Sequence, residues 1–459
     1  MLTLYPDQQE YFTALRGLFQ PHRSVLAQAA TGFGKTVIGC KVAQGAALRR
    51  TPTAFVVHRQ ELVDQTCEAF TKCGIAHGVI APGHPETRHD IQVASVFTLA
   101  RRKPRNFRLI IWDECHHAAA AQWRTVSGHY PEAKHLGLTA TPCRLDGQGL
   151  ADLYETMLCA KPMRELIQMG RLSPYRYFNL PVVDLSGLRK RGEGDYSHEA
   201  LERAMASRAI TGDVITEYKK HCDGAPFIAF CHSVPAAQAL AESFRAAGYP
   251  VQSVDGKMER TLRRDTVRAL GRTLVGITSC DLISEGFDCP GAVAGLLVRP
   301  TASLSLHLQQ VGRILRHVPG KTAMLLDFVG NYLRHYLPDT PREWSLSTGV
   351  VKPVREAIEC PDIRACEKCY AVHEWAPVCP YCGHVYPVQA KAAPKQEKGE
   401  LREMTPEEIQ ALEALARRTG RLADYHAAEK AKAKADKRDY KPGSAWYKWK
   451  NRSRRAVGG

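Results

Sequence analysis

The chain has 459 residues, of which 44% are apolar and 24% charged, and its formal net charge is +16 at pH 7. This composition indicates a globular protein of two to four domains, with no apolar run long enough for a transmembrane helix and no signal peptide at the N-terminus. The positive charge could serve solubility alone, but its size favours an anionic polymer as a partner. No membrane partner is expected. Fifteen cysteines without a secretory signal predict a reducing compartment.

A phosphate-binding loop is the first strong feature along the chain. An apolar run, Ser24–Ala27, predicts a strand, and a helix is predicted to begin at Lys35. The glycines between them allow the bend that turns backbone N–H groups toward a phosphate, and the helix N-terminus adds its dipole. The Lys35 ammonium would reach the β- and γ-phosphates of ATP, and the Thr36 hydroxyl would hold Mg²⁺. The residues expected to bind the nucleotide here are Thr31, Gly32, Phe33, Gly34, Lys35 and Thr36.

Two positions near this loop leave alternatives open. Ala29 stands where the general phosphate-loop pattern has its first glycine, so the match is only moderately specific. Upstream, Gln8 could read the edge of adenine with its amide, although a solvated glutamine at the start of a helix would give the same sequence.

Alternating strand-like and helix-like runs follow, as in a parallel sheet covered on both faces. One apolar run, Leu109–Trp112, ends in two acids, Asp113 and Glu114. The carboxyl ends of buried parallel strands are where such sheets bind ligands. We therefore expect Asp113 to hold Mg²⁺ and Glu114 to polarise the attacking water, rather than both acids capping the next helix.

A further strand, His135–Leu138, leads into a polar turn that contains Thr139 and Thr141. These hydroxyls are suited to hydrogen-bond the acid pair and to link the nucleotide state to the neighbouring surface. The order of motifs resembles that of the superfamily 2 helicases, with residues 113–116 at the position of their DEAD/DEAH box. Within that superfamily, Leu138–Arg144 resembles the Rad25/XPB-like DNA-repair branch rather than the DEAD-box RNA helicases.

A second α/β block ends in a helix that contains Gln309, Arg313 and Arg316. The two arginines are three residues apart, on one helix face, where they could form a solvated basic stripe. The resemblance implies instead that they reach across a cleft as arginine fingers and that Gln309 orients the water. It further implies that Gly286 and Asp288 contact the ribose and the nucleic-acid backbone.

Two Cys-x-x-Cys pairs follow this block. In a reducing compartment they predict a structural zinc site with four thiolate ligands, in preference to a redox dithiol or a pair of disulfides. The predicted ligands are Cys366, Cys369, Cys379 and Cys382.

The tail, residues 391–459, carries eighteen Lys and Arg against ten Asp and Glu, an excess of +8. A capping box at Thr405–Glu408 predicts a helix up to Arg418 or Thr419, and a second helix is expected at Ala427–Arg438. Near the end, Trp446 and Trp449 alternate with bases, which suits either stacking on nucleic acid or docking onto the motor domains.

Together these features predict an α/β chain with two RecA-like parallel-sheet domains in tandem, followed by a small four-cysteine zinc ribbon and a basic, partly helical tail. The expected boundaries are 1–155 for the ATP-binding domain, 156–210 for a connector, 211–345 for the helicase C-terminal domain, 360–388 for the ribbon and 391–459 for the tail. The predicted cofactors are ATP, Mg²⁺ and Zn²⁺.

The predicted function is that of an ATP-dependent DNA helicase or translocase, with DNA preferred over RNA as the partner. Protein partners could bind through the ribbon or the tail. A compact two-domain motor of this kind is expected in a bacterial cytoplasm, either nucleoid-associated or phage-encoded. The alternatives are a double-strand DNA translocase or motor subunit that does not separate strands, an RNA helicase, and a nucleic-acid binding module switched by ATP.

Overall fold

The computed structural model describes most of the chain, in segments. The described residues are 2–102, 106–117, 120–144, 149–179, 195–196, 201, 210–280, 289, 291–347, 363–386, 405–419, 422–436 and 440. The chain divides into two compact units, Met1–Tyr386 and Pro387–Gly459. Among the described residues, no helix combines the length and the apolar character that crossing a membrane requires.

The first sheet has seven parallel strands in the order β3-β4-β2-β5-β6-β1-β7. Every residue of β1, β2 and β4 is buried, because helices cover both faces of the sheet. The strands are β1 (Ser24–Gln28), β2 (Thr53–Val57), β3 (His77–Ile80), β4 (Ile91–Ser95), β5 (Leu109–Asp113), β6 (Lys134–Thr139) and β7 (Thr156–Cys159). The helices are α1 (Pro6–Leu18), α2 (Lys35–Leu48), α3 (Gln60–Lys72), α4 (Val96–Arg102), α5 (Ala120–His129) and α6 (Met163–Gln168).

The second sheet has eight strands in the order β10-β11-β9-β12-β13-β8-β15-β14. The strands are β8 (Tyr175–Asn179), β9 (Phe227–Phe230), β10 (Val251–Val254), β11 (Gly276–Ser279), β12 (Ala294–Leu297), β13 (Ala323–Asp327), β14 (Ile363–Ala365) and β15 (Ala371–Glu374). The helices are α7 (Ile210–Cys222), α8 (Val234–Ala246), α9 (Arg260–Ala269), α10 (Leu304–Ile314) and α11 (Tyr332–His335). Helix α8 begins as the sequence predicts, since the Ser233 hydroxyl accepts a hydrogen bond from the N–H of Ala236 at 3.3 Å.

The segment interpreted as a connector contributes one strand to each sheet. Strand β7 pairs with β1 in the first sheet, and β8 pairs with β13 in the second. Strand β8 is held there by a buried hydrogen bond in which the Tyr177 hydroxyl donates to Asp327 Oδ2 at 2.9 Å. The two sheets are therefore joined by a chain that is itself part of both.

The cysteine-bearing segment extends the second sheet, although the sequence predicts a separate ribbon after the second domain. Strand β15 pairs antiparallel with β8, and β14 pairs antiparallel with β15. An uncovered β8 would expose a row of backbone donors and acceptors at the sheet edge. The short hairpin satisfies that edge, and the sheet becomes mixed rather than purely parallel.

The described residues of the C-terminal unit form two helices, α12 (Pro406–Thr419) and α13 (Leu422–Ala435). The predicted capping box is confirmed, because Glu408 accepts from the N–H of Thr405 at 2.9 Å while the Thr405 hydroxyl accepts from the N–H of Glu408 at 3.3 Å. The second helix begins five residues before the predicted Ala427. The tryptophans at 446 and 449 lie outside the described residues.

Replacing Tyr177 by phenylalanine tests whether β8 is integral to the second domain. Burial raises the pKa of Asp327 to about 6. Hydrogen bonds from backbone N–H groups and from the Tyr177 hydroxyl favour the ionised carboxylate and limit this rise. Tyr177→Phe should lower the free energy of unfolding in urea by about 1–3 kcal/mol at pH 8, where Asp327 is ionised. The loss should shrink at pH 5, because the folded carboxyl is then protonated and its hydrogen bond from Tyr177 matters less.

The matched control for this variant is Tyr218→Phe. The Tyr218 hydroxyl donates to the neutral carbonyl of Ala225 at 2.8 Å, so its removal should cost less and equally at both pH values. Equal losses at pH 5 and pH 8 for Tyr177→Phe would contradict the prediction.

Candidate nucleotide-binding site and cysteine cluster

The phosphate loop connects β1 to α2 through two glycines in left-handed conformations. Gly32 has φ of 95° and Gly34 has φ of 102°, a region that side chains rarely adopt. Helix α2 begins directly after Gly34, so its first N–H groups face the loop. A Cβ atom at Gly32 would lie 2.3 Å from a methyl group of Leu172, which shows that the segment between the sheets packs onto the loop.

Gln8 is buried against this loop, so the interpretation as a solvated glutamine is wrong. Its side-chain Nε2 donates to the carbonyl of Phe33 at 2.6 Å, and its Oε1 accepts from the N–H of Tyr5 at 3.1 Å. Each end of the amide retains the capacity for one further hydrogen bond. The structure thus brings Gln8 to the phosphate loop, where an adenine contact remains a prediction.

The acid pair lies at the carboxyl end of β5, opposite the loop. Lys35 Nζ is 3.4 Å from Glu114 Oε1, and Asp113 Oδ1 accepts a hydrogen bond from the N–H of Glu114 at 3.1 Å. Glu114 has φ of 45°, a costly conformation for a residue with a side chain. Burial and the neighbouring Glu114 raise the pKa of Asp113 to about 7, while Lys35 and Arg313 oppose the shift.

The oxygen atoms at this place suit a magnesium ion. The Asp113 carboxylate and the Thr36 hydroxyl are hard oxygen ligands of the kind Mg²⁺ prefers, with water and phosphate oxygens completing the shell. A divalent cation would also relieve the repulsion that raises the pKa of Asp113. These two residues would hold the ion, which would neutralise charge on the phosphates.

His116, which follows the acid pair by two positions, joins the two domains. Its Nδ1 lies 2.8 Å from the Thr139 hydroxyl and 3.5 Å from Glu114 Oε2. Its Nε2 lies 3.2 Å from the Ser305 hydroxyl and 3.3 Å from Gln309 Nε2, both on α10 of the second domain. The imidazole therefore lies beside Glu114 on one side and contacts the second domain on the other.

The neighbouring hydroxyls indicate the tautomer of this imidazole. The Thr139 hydroxyl donates to the carbonyl of Thr141 at 2.8 Å, so it can only accept from His116 Nδ1–H. The Thr141 hydroxyl donates to Ser305 at 2.7 Å, which leaves the Ser305 proton for His116 Nε2. Thr141 therefore contacts the second domain directly, and Thr139 contacts it through His116. That the two threonines link the nucleotide state to the neighbouring surface stays a prediction.

Sequence reasoning missed the contact between His116 and Ser305. Two adjacent histidines suggest a metal site, and the absence of a third ligand in the pattern argues against one. The sequence did carry one indication of this contact. His116 comes two residues after the acid pair at the end of β5, so it is expected at the same edge of the sheet as those acids.

Helix α10 packs directly on the phosphate loop. A Cβ atom at Gly312 would lie 2.3 Å from Thr31 Cγ2, so only glycine permits this approach. The next residue, Arg313, lowers the pKa of Asp113 through its charge, and Gln309 is buried beside His116. Arg316 forms an antiparallel bridge with Leu172, and its carbonyl accepts from the Ser173 hydroxyl at 3.1 Å.

The site is therefore assembled from both sheets. Gly286 and Asp288, which the resemblance assigns to ribose and nucleic-acid contacts, lie outside the described residues.

The four predicted zinc ligands converge, with their sulfur atoms all within 4.8 Å of one another. The sulfurs of Cys366 and Cys382 are 3.7 Å apart, and those of Cys369 and Cys379 are also 3.7 Å apart. A tetrahedral zinc with Zn–S bonds of about 2.3 Å separates its sulfurs by about 3.8 Å. All four thiols are free, so the geometry fits a closed four-thiolate site better than two disulfides.

Comparison with known proteins identifies the family. Residues 1–144 match the model of the type III restriction enzyme res subunit, and residues 211–318 match that of the helicase conserved C-terminal domain. A 51.5 kDa protein of a Lactococcus phage is 35% identical over 84% of this chain and 83% of its own length. The chain belongs to the superfamily 2 helicases.

Two further comparisons are more distant. A Schizosaccharomyces pombe protein named as a mitochondrial ATP-dependent helicase, irc3, is 26% identical over 76% of this chain and 61% of its own length. A fragment named as the HsdR subunit of a type I restriction enzyme from Vibrio vulnificus has a TM-score of 0.57 at 24% identity, over 72% of this chain and 65% of the fragment. That likeness concerns the fold, and it confirms the predicted tandem of RecA-like domains.

Metal analysis of the purified chain tests the cysteine cluster. We expect about one zinc per chain by mass spectrometry of the metal content, and a large loss of zinc and of thermal stability in Cys382→Ser. Cys159→Ser is the control, because Cys159 is exposed and outside the cluster. Zinc below about a tenth of an equivalent in the unsubstituted protein would exclude a zinc site.

Proposed function

We propose that this helicase is an ATP-dependent DNA motor that couples hydrolysis to movement along DNA or to its remodelling. The observation that carries the proposal is the composite site: Lys35, Asp113 and Glu114 lie in the first domain, and Arg313 approaches Asp113 from the second. A site divided between two sheets is complete only when the domains are close together. Hydrolysis and domain motion are thereby tied to each other.

Each residue then has a chemical role in the proposed reaction. The loop N–H groups and Lys35 bind the phosphates, and Thr36 and Asp113 hold Mg²⁺. Glu114 accepts hydrogen bonds from the attacking water, which Gln309 helps to orient. Arg313 and Arg316 would stabilise the charge on the transferred phosphoryl group, and Gln8 the adenine.

His116 would transmit the state of this site to the second domain. It contacts Glu114 at one ring nitrogen and Ser305 with Gln309 at the other, so a shift of Glu114 toward a bound water changes contacts on both sides of the cleft. Thr139 fixes the tautomer that this relay requires.

DNA rather than RNA is proposed as the polymer on two grounds. The first family model that the chain matches is described as a restriction-enzyme subunit, and restriction enzymes act on DNA. The Leu138–Arg144 sequence further supports placement in the Rad25/XPB-like branch. The net charge of +16 suits either polymer and does not discriminate.

Three alternatives differ in what stimulates the ATPase. A double-strand translocase or motor subunit would respond to blunt duplex DNA, and an RNA helicase would respond to RNA. A binding module switched by ATP would bind nucleic acid in an ATP-dependent manner without moving along it.

The test is ATP hydrolysis by the purified chain without polymer and with single-stranded, duplex or forked DNA or RNA. We expect strong stimulation by DNA and loss of nearly all activity in Lys35→Ala, since Lys35 lies beside Glu114 and would contact the phosphates. Stimulation by RNA alone would contradict the DNA assignment. DNA binding without any stimulated hydrolysis would favour the binding module.

A glycine substitution tests whether the close approach of α10 is required for turnover. Gly312→Ala should lower kcat by roughly 10- to 100-fold, because its methyl group must push Thr31 and the two domains apart. ATP binding, measured by a fluorescent analogue, should change far less.

The matched control is Gly128→Ala, at a helical glycine with no atom within 4 Å of the added methyl group. This variant should retain normal turnover. A Gly312→Ala protein with unchanged kcat would mean that the observed domain contact is not the catalytic one.

A further inference from the structure

A cavity of about 870 Å³ opens at the amino end of the first sheet. The first residues of three strands of this sheet line it, namely Ile91 of β4, Leu109 of β5 and Lys134 of β6. The nucleotide site lies at the carboxyl ends of the same parallel strands. Helix α2 runs between the two ends of the sheet, since it begins at Lys35 beside the nucleotide site and its last turn lines the cavity. At about 1.5 Å per residue, the helix is roughly 20 Å long. The cavity is therefore separate from the proposed motor site.

The floor of this cavity is apolar. Leu15, Ala46, Ile75 and Ile91 line it, and all four are buried. At the rim, Leu48 is 81% exposed, an unusual position for a leucine in a helix that otherwise packs on the sheet. Apolar side chains of a partner could therefore pack both on the apolar floor and on Leu48 at the rim.

The walls are strongly basic. Six cations and one carboxylate, that of Asp90, line the cavity. The ion pairs of the described residues include none of the six, which contrasts with the paired Arg23 and Arg171 of the same unit. Lys41 donates to the carbonyl of Leu2 at 3.2 Å, and Lys134 donates to that of Phe19. The six cations are Arg16, Lys41, Arg49, Arg88, Arg108 and Lys134.

The aromatic rings of this cavity are not arranged for stacking on nucleobases. The guanidinium of Arg16 lies over the ring of Phe12 at 6.0 Å, and the ammonium of Lys134 lies over the ring of Phe19 at 5.9 Å. Single strands bind where open ring faces line a basic groove. Here a cation lies over each ring, and aliphatic side chains line the floor of the cavity.

We propose that this cavity, which we call the amino-end pocket, binds an acidic protein segment that inserts apolar side chains. Carboxylates of the segment would pair with the cations on the walls, and leucine- or phenylalanine-like side chains would occupy the floor. The pocket thus provides a docking surface for an acidic protein partner on the side of the first domain away from ATP.

The test measures binding of a fluorescein-labelled helical peptide of about 15 residues to the full chain by anisotropy. The peptide carries leucines on one face and glutamates on the other. Two matched peptides replace the leucines by serines or the glutamates by lysines, and a labelled single-stranded oligonucleotide is the fourth probe. We expect the acidic, leucine-bearing peptide to bind tightest and to weaken as salt is raised.

Two charge-reversed proteins locate the binding. Arg88→Glu/Arg108→Glu reverses the charge of two exposed cations on the walls and should lower the affinity for the acidic, leucine-bearing peptide by about tenfold or more. Lys72→Glu/Arg101→Glu makes the same change of charge at exposed positions outside the pocket and should stay within about twofold of the unsubstituted chain. Leu48→Ser should weaken the leucine-bearing peptide but not the serine peptide.

Both double variants should retain normal polymer-stimulated ATP hydrolysis, which verifies their folding. Failure of the acidic peptide to bind the unsubstituted chain, or equal binding by the two double variants, would overturn the proposal. Binding of the oligonucleotide that is lost only in Arg88→Glu/Arg108→Glu would also overturn it, because the pocket would then be a nucleic-acid site.

Discussion

The contact between Gly312 of α10 and Thr31 of the phosphate loop is the constraint on which the rest of the site depends. It brings two separately folded sheets so close that a single methyl group would overlap the loop. At that separation Arg313 acts on Asp113, and His116 reaches Ser305 and Gln309. A small change in the position of one domain therefore changes the chemistry of the other.

Electrostatics couples the two halves of this divided site. Asp113 and Glu114 are adjacent carboxylates in a largely buried place, and their repulsion contributes to the raised pKa of Asp113. The positive charges of Lys35 in the first domain and Arg313 in the second domain each oppose part of the rise in the pKa of Asp113. Magnesium and nucleotide phosphates would add further charges of both signs, so the balance of charges, and with it the preferred domain separation, would depend on what is bound.

Local signals in the sequence predicted the parts that depend on local structure. The phosphate loop required glycines at left-handed positions, the acid pair required the end of an apolar strand, and the four cysteines required only their spacing. The tertiary partners of these residues were not predictable in the same way. That His116 would lie between Thr139 and Ser305 depends on how two sheets face each other, which no periodicity encodes. Nor did β8 carry any local sign that its partners would be β13 and β15.

The pairing of β15 with β8 changes what the cysteine cluster can do. An independent ribbon on a flexible linker would sample many positions, whereas strands hydrogen-bonded into the second sheet move with it. The link is reinforced by Arg164 of α6, which lies 3.2 Å from Asp339 and also pairs with Glu374 of β15. Surfaces of the cluster, including the 63% exposed Trp375, would then be displaced whenever the second domain moves relative to the first. A zinc ion held there would thus stabilise part of the second domain itself. Any partner bound to the cluster would then move together with that domain.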